Sequence, residues 1–191
     1  MPLVPVPAGK AIMRDVTGGL EVVIPAKRSA FIVLFLGFWL IGWACGEAFA
    51  VKQLIAPSSP NSRDLFLFAW LGAWTVGGAF AMYAWAWAAF GRERVTLRPA
   101  ALTLAREVLR YGRGRDFDLA HVSHLRAAPQ AFSPFDMSAG FQMWGLSGGT
   151  IAFDYGAKTF RFGASLDEAE ARKVVAALAS RNPAISLNGA A

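Results

Sequence analysis

The chain has 191 residues, about one domain's worth, of which 55% are apolar and only 17% are charged, with a formal net charge of +6. A typical soluble chain carries about 25% charged residues, so this composition argues against intrinsic disorder and against a highly charged nucleic-acid module. It favours a membrane protein. The single cysteine, Cys45, excludes an intramolecular disulfide framework and any zinc or iron–sulfur site that needs several cysteines.

Two long uncharged runs lie in the first half of the chain, one from Ser29 to Gly46 and one from Leu65 to Gly91. At about 1.5 Å per residue, roughly 20 residues cross a hydrocarbon core of about 30 Å. We therefore predict two transmembrane helices over about 30–51 and 65–90, joined by a short extracytoplasmic loop whose prolines and serines are typical of a turn. A cleaved signal peptide is the rival interpretation of the first run, but 26 residues precede its basic flank.

Basic residues predict the orientation of this hairpin. Four basic residues precede the first run: Lys10, Arg14, Lys27 and Arg28. Five follow the second run directly: Arg92, Arg94, Arg98, Arg106 and Arg110. The loop between the runs holds only Lys52 and Arg63. The positive-inside rule then places both termini in the cytoplasm. The chain divides accordingly into a cytoplasmic N-terminal segment 1–28, a membrane hairpin 29–91 and a cytoplasmic domain 92–191.

Small residues recur at a spacing of four in both predicted helices, which places them on one face of each helix. They are Gly42 and Gly46 in the first helix and Ala69, Ala73, Gly77 and Ala81 in the second. Small residues let helix backbones approach closely in lipid. Two interpretations stay open: the two stripes pack on each other within the hairpin, or one of them contacts a helix of another membrane protein.

The hairpin also holds six of the seven tryptophans, and the first predicted helix holds one acidic residue, Glu47. Four tryptophans lie deep and are expected to face lipid, pigment or protein: Trp39, Trp43, Trp70 and Trp74. Trp85 and Trp87 resemble an interfacial belt at the cytoplasmic end. Glu47 is expected near the far end of its helix, where a carboxylate can reach the interface.

From residue 92 onward the apolar residues mostly alternate, which is typical of strands. The clearest hairpin runs from Thr150 to Phe162 around a turn at Gly156, whereas residues 129–149 are poor in pattern. A final helix is predicted from a capping box formed by Ser165 and Glu168. Its apolar face has four residues: Ala171, Val174, Val175 and Leu178.

This layout resembles that of small bacterial membrane proteins that carry a bacterial pleckstrin-homology-like (PH-like) domain. The resemblance covers roughly residues 20–183 and rests on Gly19–Pro25 before the first membrane run, Gly91-Arg92-Glu93 after the second, Ile151–Gly163 and the last helix. It implies an antiparallel PH-like sheet or barrel closed by one C-terminal helix, in a small α+β domain. It also implies a bacterial inner-membrane protein with a binding or scaffolding role, in some members in the assembly of membrane complexes.

The polar residues of this domain do not predict a catalytic or metal site. In an extended segment His121 and His124 lie on opposite faces, and no carboxylate or thiol follows at ligand spacing. Asp116 and Asp118 are flanked by arginines, and Ser123 beside His124 lacks a third orienting group. We therefore expect neither an enzyme nor a cofactor or metal.

The segment 92–118 is rich in arginine and could attract anionic groups. It holds seven arginines and four acidic residues, a net charge of +3. Near a cytoplasmic membrane surface each arginine contributes about 1 kcal/mol of attraction to anionic lipid. Five are candidate lipid contacts: Arg92, Arg94, Arg98, Arg113 and Arg115. Aromatic residues do not interleave with them as binding to single-stranded nucleic acid requires, so no nucleic-acid partner is expected.

Two functions stand as hypotheses. The first is a non-catalytic accessory, assembly or scaffold subunit of an inner-membrane protein complex, for example a respiratory or photosynthetic one, with membrane lipids as its other partners. The alternative is a membrane regulator whose cytoplasmic PH-like domain binds anionic lipid or a small ligand. An integral-membrane enzyme is disfavoured because the sequence shows no set of polar residues at a spacing suited to catalysis.

Overall fold

The structure, a computed structural model, describes residues 9–27, 29–55, 62–128 and 148–187. The chain forms two compact units, one of residues 28–89 and one that combines 1–27 with 90–191. The N-terminal segment, which the sequence analysis set apart, therefore joins the sheet domain. Most of the pattern-poor stretch 129–149 lies outside the described residues.

The first unit is a hairpin of two helices, α1 (Ala30–Ile55) and α2 (Ser62–Phe90). They run antiparallel, because the start of α1 contacts the end of α2. Both contain 26-residue spans that are long and apolar enough to cross a membrane, as predicted, and α1 extends four residues beyond its predicted end. Only 6% of the most apolar window of each helix is buried, unlike the core helix of a soluble protein, which is mostly covered.

The second unit contains a five-stranded antiparallel sheet in the order β1-β2-β3-β4-β5. Its strands are β1 (Ile12–Val16), β2 (Gly19–Pro25), β3 (Gly91–Leu97), β4 (Ala101–Val108) and β5 (Tyr111–Asp118). Strands β2 and β3 pair from Leu20 opposite Leu97 to Pro25 opposite Arg92. The whole helical hairpin is therefore an insertion between two neighbouring strands of one sheet.

A smaller three-stranded sheet and two helices complete this unit. The strands are β6 (Val122–Ala127), β7 (Ile151–Tyr155) and β8 (Lys158–Phe162), and the helices are α3 (Glu168–Arg181) and α4 (Ala184–Leu187). The predicted hairpin of residues 150–162 is confirmed as β7 and β8, and Gly156 takes the left-handed φ of +58° that the turn requires. Within the described residues the strands form two sheets, and a closed barrel is not seen.

One hydrophobic core joins both sheets and α3. Strands β2 and β3 alternate between buried and partly exposed residues, and the ring of Phe117 meets that of Phe153 edge-on at 5.1 Å. From α3 the core receives three fully buried residues, Ala171, Val174 and Leu178, while Val175 is only partly buried. The predicted apolar face of the last helix is thus confirmed, with Val174 rather than Val175 at its centre.

The start of α3 differs from the prediction by two residues. Asp167 is the N-cap, and the side chains of Asp167 and Glu170 form the reciprocal capping box. The Ser165 hydroxyl instead donates to the carbonyl oxygen of Pro25 at 2.6 Å, which ties the segment before α3 to the end of β2. The capping motif was recognised correctly but assigned to the wrong pair, because Ser165 has a competing acceptor in the sheet.

Candidate interaction surfaces

The contact between α1 and α2 is made by tryptophans that lie on glycines. The Trp43 indole covers Gly78 so closely that a Cβ atom on Gly78 would collide with the ring, and its Nε1 donates to the Trp74 carbonyl oxygen at 3.3 Å. At the other end of the hairpin, Trp85 lies over Gly37 and its Nε1 donates to a backbone carbonyl of α1 at 3.0 Å. Glycine thus makes room for each interhelical hydrogen bond.

The predicted small-residue stripes do not form this contact. A Cβ atom added to Gly42, Gly46 or Gly77 would meet no described residue within 4 Å. In α2, Ala69 and Ala73 are exposed and Ala81 is half-buried. Of the two interpretations, packing of the stripes on each other is therefore wrong. The close contacts between the helices lie instead at Gly37 and Gly78, each covered by a tryptophan of the other helix. We call Ala69, Ala73, Gly77 and Ala81 the open stripe of α2.

Deep tryptophans line a groove beside the open stripe. The groove has a volume of about 370 Å³ and is lined by Trp39, Trp43, Trp70, Ala73, Trp74, Gly77 and Gly78. Trp70 and Trp74 stack at a centroid distance of 4.8 Å. The face that carries part of the open stripe is therefore concave and aromatic.

Glu47 lies farther from the end of its helix than the sequence suggested. It stands eight residues before the end of α1, about 12 Å along a helix that rises about 1.5 Å per residue. Its Oε1 accepts a hydrogen bond from the Thr75 hydroxyl of α2 at 2.5 Å, while Glu47 Oε2 is buried without a partner among the described residues. The carboxylate is thus held against α2.

Two of the five candidate lipid-binding arginines are engaged in ion pairs within their own sheet. Arg92 Nε lies 2.8 Å from a Glu107 carboxylate oxygen, and Arg94 bridges Glu107 and Glu21. Burial alone would raise the pKa of Glu107, but hydrogen bonds from Arg94 and Arg92 lower it. The hydrogen bond to Glu107 in turn raises the pKa of Arg94. These charges are neutralised on the sheet itself.

The other three arginines lie in different surroundings. Arg115 lies over the rings of Phe117 and Phe160, with its guanidinium carbon 5.5 and 5.0 Å from their centroids. Arg113 is exposed on β5 and makes no ion pair with described residues. Arg98 lines a cavity that the sequence did not reveal, together with Arg181 from the end of α3.

The side chains weighed as catalytic or metal-binding candidates have structural contacts. Asp116 accepts from the Thr103 hydroxyl at 2.6 Å, and Asp118 accepts from the backbone N–H of Ala120 at 2.9 Å. His124 Nδ1 lies 3.2 Å from Asp154. No cluster of three or more metal-ligating side chains occurs in the part of the chain that the structure describes.

Acid should weaken the sheet unit through Glu107. The pKa of Glu107 is lower in the folded state than its ordinary 4.5, so its ion pairs contribute stability that is fully present above about pH 4.5 and is lost as the pH falls through the folded-state value. Thermal unfolding of the solubilised chain, followed by the β-sheet circular dichroism signal, measures this. Glu107→Gln should lower the unfolding midpoint at neutral pH. In acid the midpoints of the variant and the parent protein should become similar. A midpoint difference that is independent of pH would contradict this origin.

A comparison with protein-family models, with curated proteins and with solved structures finds no match for this chain.

Proposed function

We propose that the protein is a non-catalytic accessory, assembly or scaffold subunit of an integral-membrane protein complex. The observation that carries this is the open stripe of α2, in which a Cβ on Gly77 would meet no described residue although the neighbouring Gly78 is tightly covered by Trp43. The hairpin thus satisfies its own packing without the stripe. Lipid offers no hydrophobic drive for helix association, so an open small-residue face favours close packing with another helix.

The proposal includes a location and a fold relationship. The asymmetry of Lys and Arg around the two apolar spans supports a multi-pass protein of the bacterial inner membrane with both termini in the cytoplasm. The antiparallel sheet followed by α3 supports a PH-like domain that serves as a scaffold. In this arrangement the hairpin docks on the partner and the sheet domain faces the cytoplasm.

Purification from native membranes in a mild detergent tests the function. We expect an apolar multi-helix protein to co-purify with this chain at a fixed stoichiometry. A mild detergent replaces only part of the lipid, so the packing between the helices of the two proteins should be retained. Size-exclusion chromatography with quantitative mass spectrometry of the peak measures the ratio. A chain that elutes alone, from membranes in which crosslinking before solubilisation also captures no partner, would contradict the proposal.

A second candidate function is a membrane regulator that binds an anionic lipid or ligand through its sheet domain. It is favoured by Arg98 and Arg113, which make no ion pair with described residues while Arg92, Arg94 and Arg106 each contact a carboxylate. In the purification above, a monomer that retains anionic lipid would favour this function over the first.

A further inference from the structure

A cavity of about 540 Å³ lies at the end of the large sheet where three segments meet. The first is the turn between β1 and β2 at Gly18, the second is the turn between β3 and β4 at Pro99, and the third is the end of α3. The lining residues used below are Asp15, Val16, Arg98, Pro99 and Arg181. Small-molecule sites typically occupy about 300–1,000 Å³, so the cavity has the size of a ligand site.

The charge of this cavity is unbalanced. The carboxylate of Asp15 contacts Arg181 through one guanidinium nitrogen, Nη2, at 2.5 Å, and the Arg181 side chain remains 53% exposed. Most donors of that guanidinium are therefore still available. Arg98 contributes a second guanidinium and makes no ion pair with described residues. Among the described residues, two positive groups thus share the cavity with a single carboxylate.

We propose that this cavity binds a phosphate group between Arg98 and Arg181. Each guanidinium presents a planar fork of N–H donors that matches a pair of anionic oxygens. A phosphate monoester has three terminal oxygens and up to two negative charges, so it can accept from two forks at once and balance both guanidinium charges. Val16 and Pro99 supply an apolar wall for the adjoining part of the ligand.

Asp15 has a defined role in this site. Its carboxylate holds Arg181 at the cavity when the phosphate is absent, and it competes with the phosphate for the same guanidinium. Removal of its charge should therefore strengthen binding, an effect that a purely structural role of the ion pair would not produce. The inference is independent of the open stripe, because it concerns the sheet unit alone.

Two probes distinguish a soluble ligand from a lipid headgroup, both used with the full-length chain. Isothermal titration with glycerol 3-phosphate in detergent tests the soluble source. Titration with mixed micelles that contain phosphatidic acid, against micelles that contain phosphatidylcholine alone, tests the lipid source. Binding in the first assay assigns a soluble phosphate, and binding in the second alone assigns a headgroup. Binding in neither assay overturns the proposal.

Matched variants make the test specific. Arg98→Gln and Arg181→Gln should each weaken binding about tenfold or more, because hydrogen bonds to charged groups are the strong ones, whereas Asp15→Asn should strengthen it. Arg172→Gln, a change to an exposed arginine of α3 outside the cavity lining, is the control and should change binding little. Equal losses of binding in Arg172→Gln and Arg98→Gln would show general attraction to basic surface and overturn the site. All four side chains are exposed, so the variants should fold.

Discussion

Gly78→Leu should break the helical hairpin, whereas Gly77→Leu should leave it intact and remove the partner protein. A side chain on Gly78 enters the space of the Trp43 indole, and overpacking of this kind costs about 1–3 kcal/mol. It also separates Trp43 Nε1 from the Trp74 carbonyl oxygen, a 3.3 Å hydrogen bond. Interhelical hydrogen bonds in membranes contribute about 0.6–2 kcal/mol. At Gly77 an added Cβ meets no described residue within 4 Å, so we expect the hairpin to accept the leucine and a docked partner helix to be displaced by it.

The same substitution at a third glycine provides the control. Gly72 is also open, since a Cβ there meets no described residue within 4 Å, but it lies about 140° from Gly77 around the helix at about 100° per residue. Gly72→Leu should therefore retain both the hairpin and the partner. Co-purification measures the partner, and the fluorescence and thermal unfolding of the tryptophan-rich hairpin measure its integrity. If Gly77→Leu still co-purifies at the parental stoichiometry, the open stripe is not the docking face.

These neighbouring glycines also show where inference from the sequence ended. A spacing of four selects Gly77 because Ala69, Ala73 and Ala81 share its face, and the helices themselves were predicted from length and composition. The pattern does not indicate that Gly78, one residue later, receives a tryptophan from α1. That contact depends on the rotation of each helix, which Trp43 and Trp85 fix by donating to backbone carbonyls.

In the sheet unit, the local sequence pattern predicts some elements but not the pairing of distant strands. The β7–β8 hairpin and α3 are contiguous in sequence, so alternation and capping residues predict them. The partner of β2 is β3, which follows the entire membrane hairpin, and no local signal links strands that far apart. The cavity likewise joins Asp15 to Arg181, 166 residues away, so only the folded structure brings its charges together.

Glu93 is a buried carboxylate whose burial could have been predicted from the alternation of β3. It shares a strand face with Val95 and Leu97, both buried, and is itself only 5% exposed. Its Oε2 accepts from the backbone N–H of Gly163 at 2.6 Å, and its Oε1 lies 3.2 Å from Arg106. A buried carboxylate requires such partners, and here they connect β3 to the segment between β8 and α3.

Glu93→Ala should therefore destabilise the sheet unit by about 1–3 kcal/mol, the range for leaving a buried hydrogen-bonding group without its partner. The change leaves the buried N–H of Gly163 without its acceptor and Arg106 without its carboxylate. Glu93→Gln should cost less, because the amide oxygen can still accept from Gly163. Asp116→Ala is the control, since Asp116 is exposed and, among the described residues, accepts from a threonine hydroxyl alone. It should cost less than about 1.5 kcal/mol.

Amide hydrogen exchange of the full-length protein in detergent measures this prediction strand by strand, because protection in β7 and β8 reports opening of the sheet unit and not of the helices. Protection should fall in the order parent, Glu93→Gln, Glu93→Ala, with Asp116→Ala close to the parent. The loss should be greatest at Gly163 and its neighbours, since Glu93 holds that turn directly. Protection in Glu93→Ala equal to that in Asp116→Ala would mean that the carboxylate is not a structural link between β3 and the start of α3.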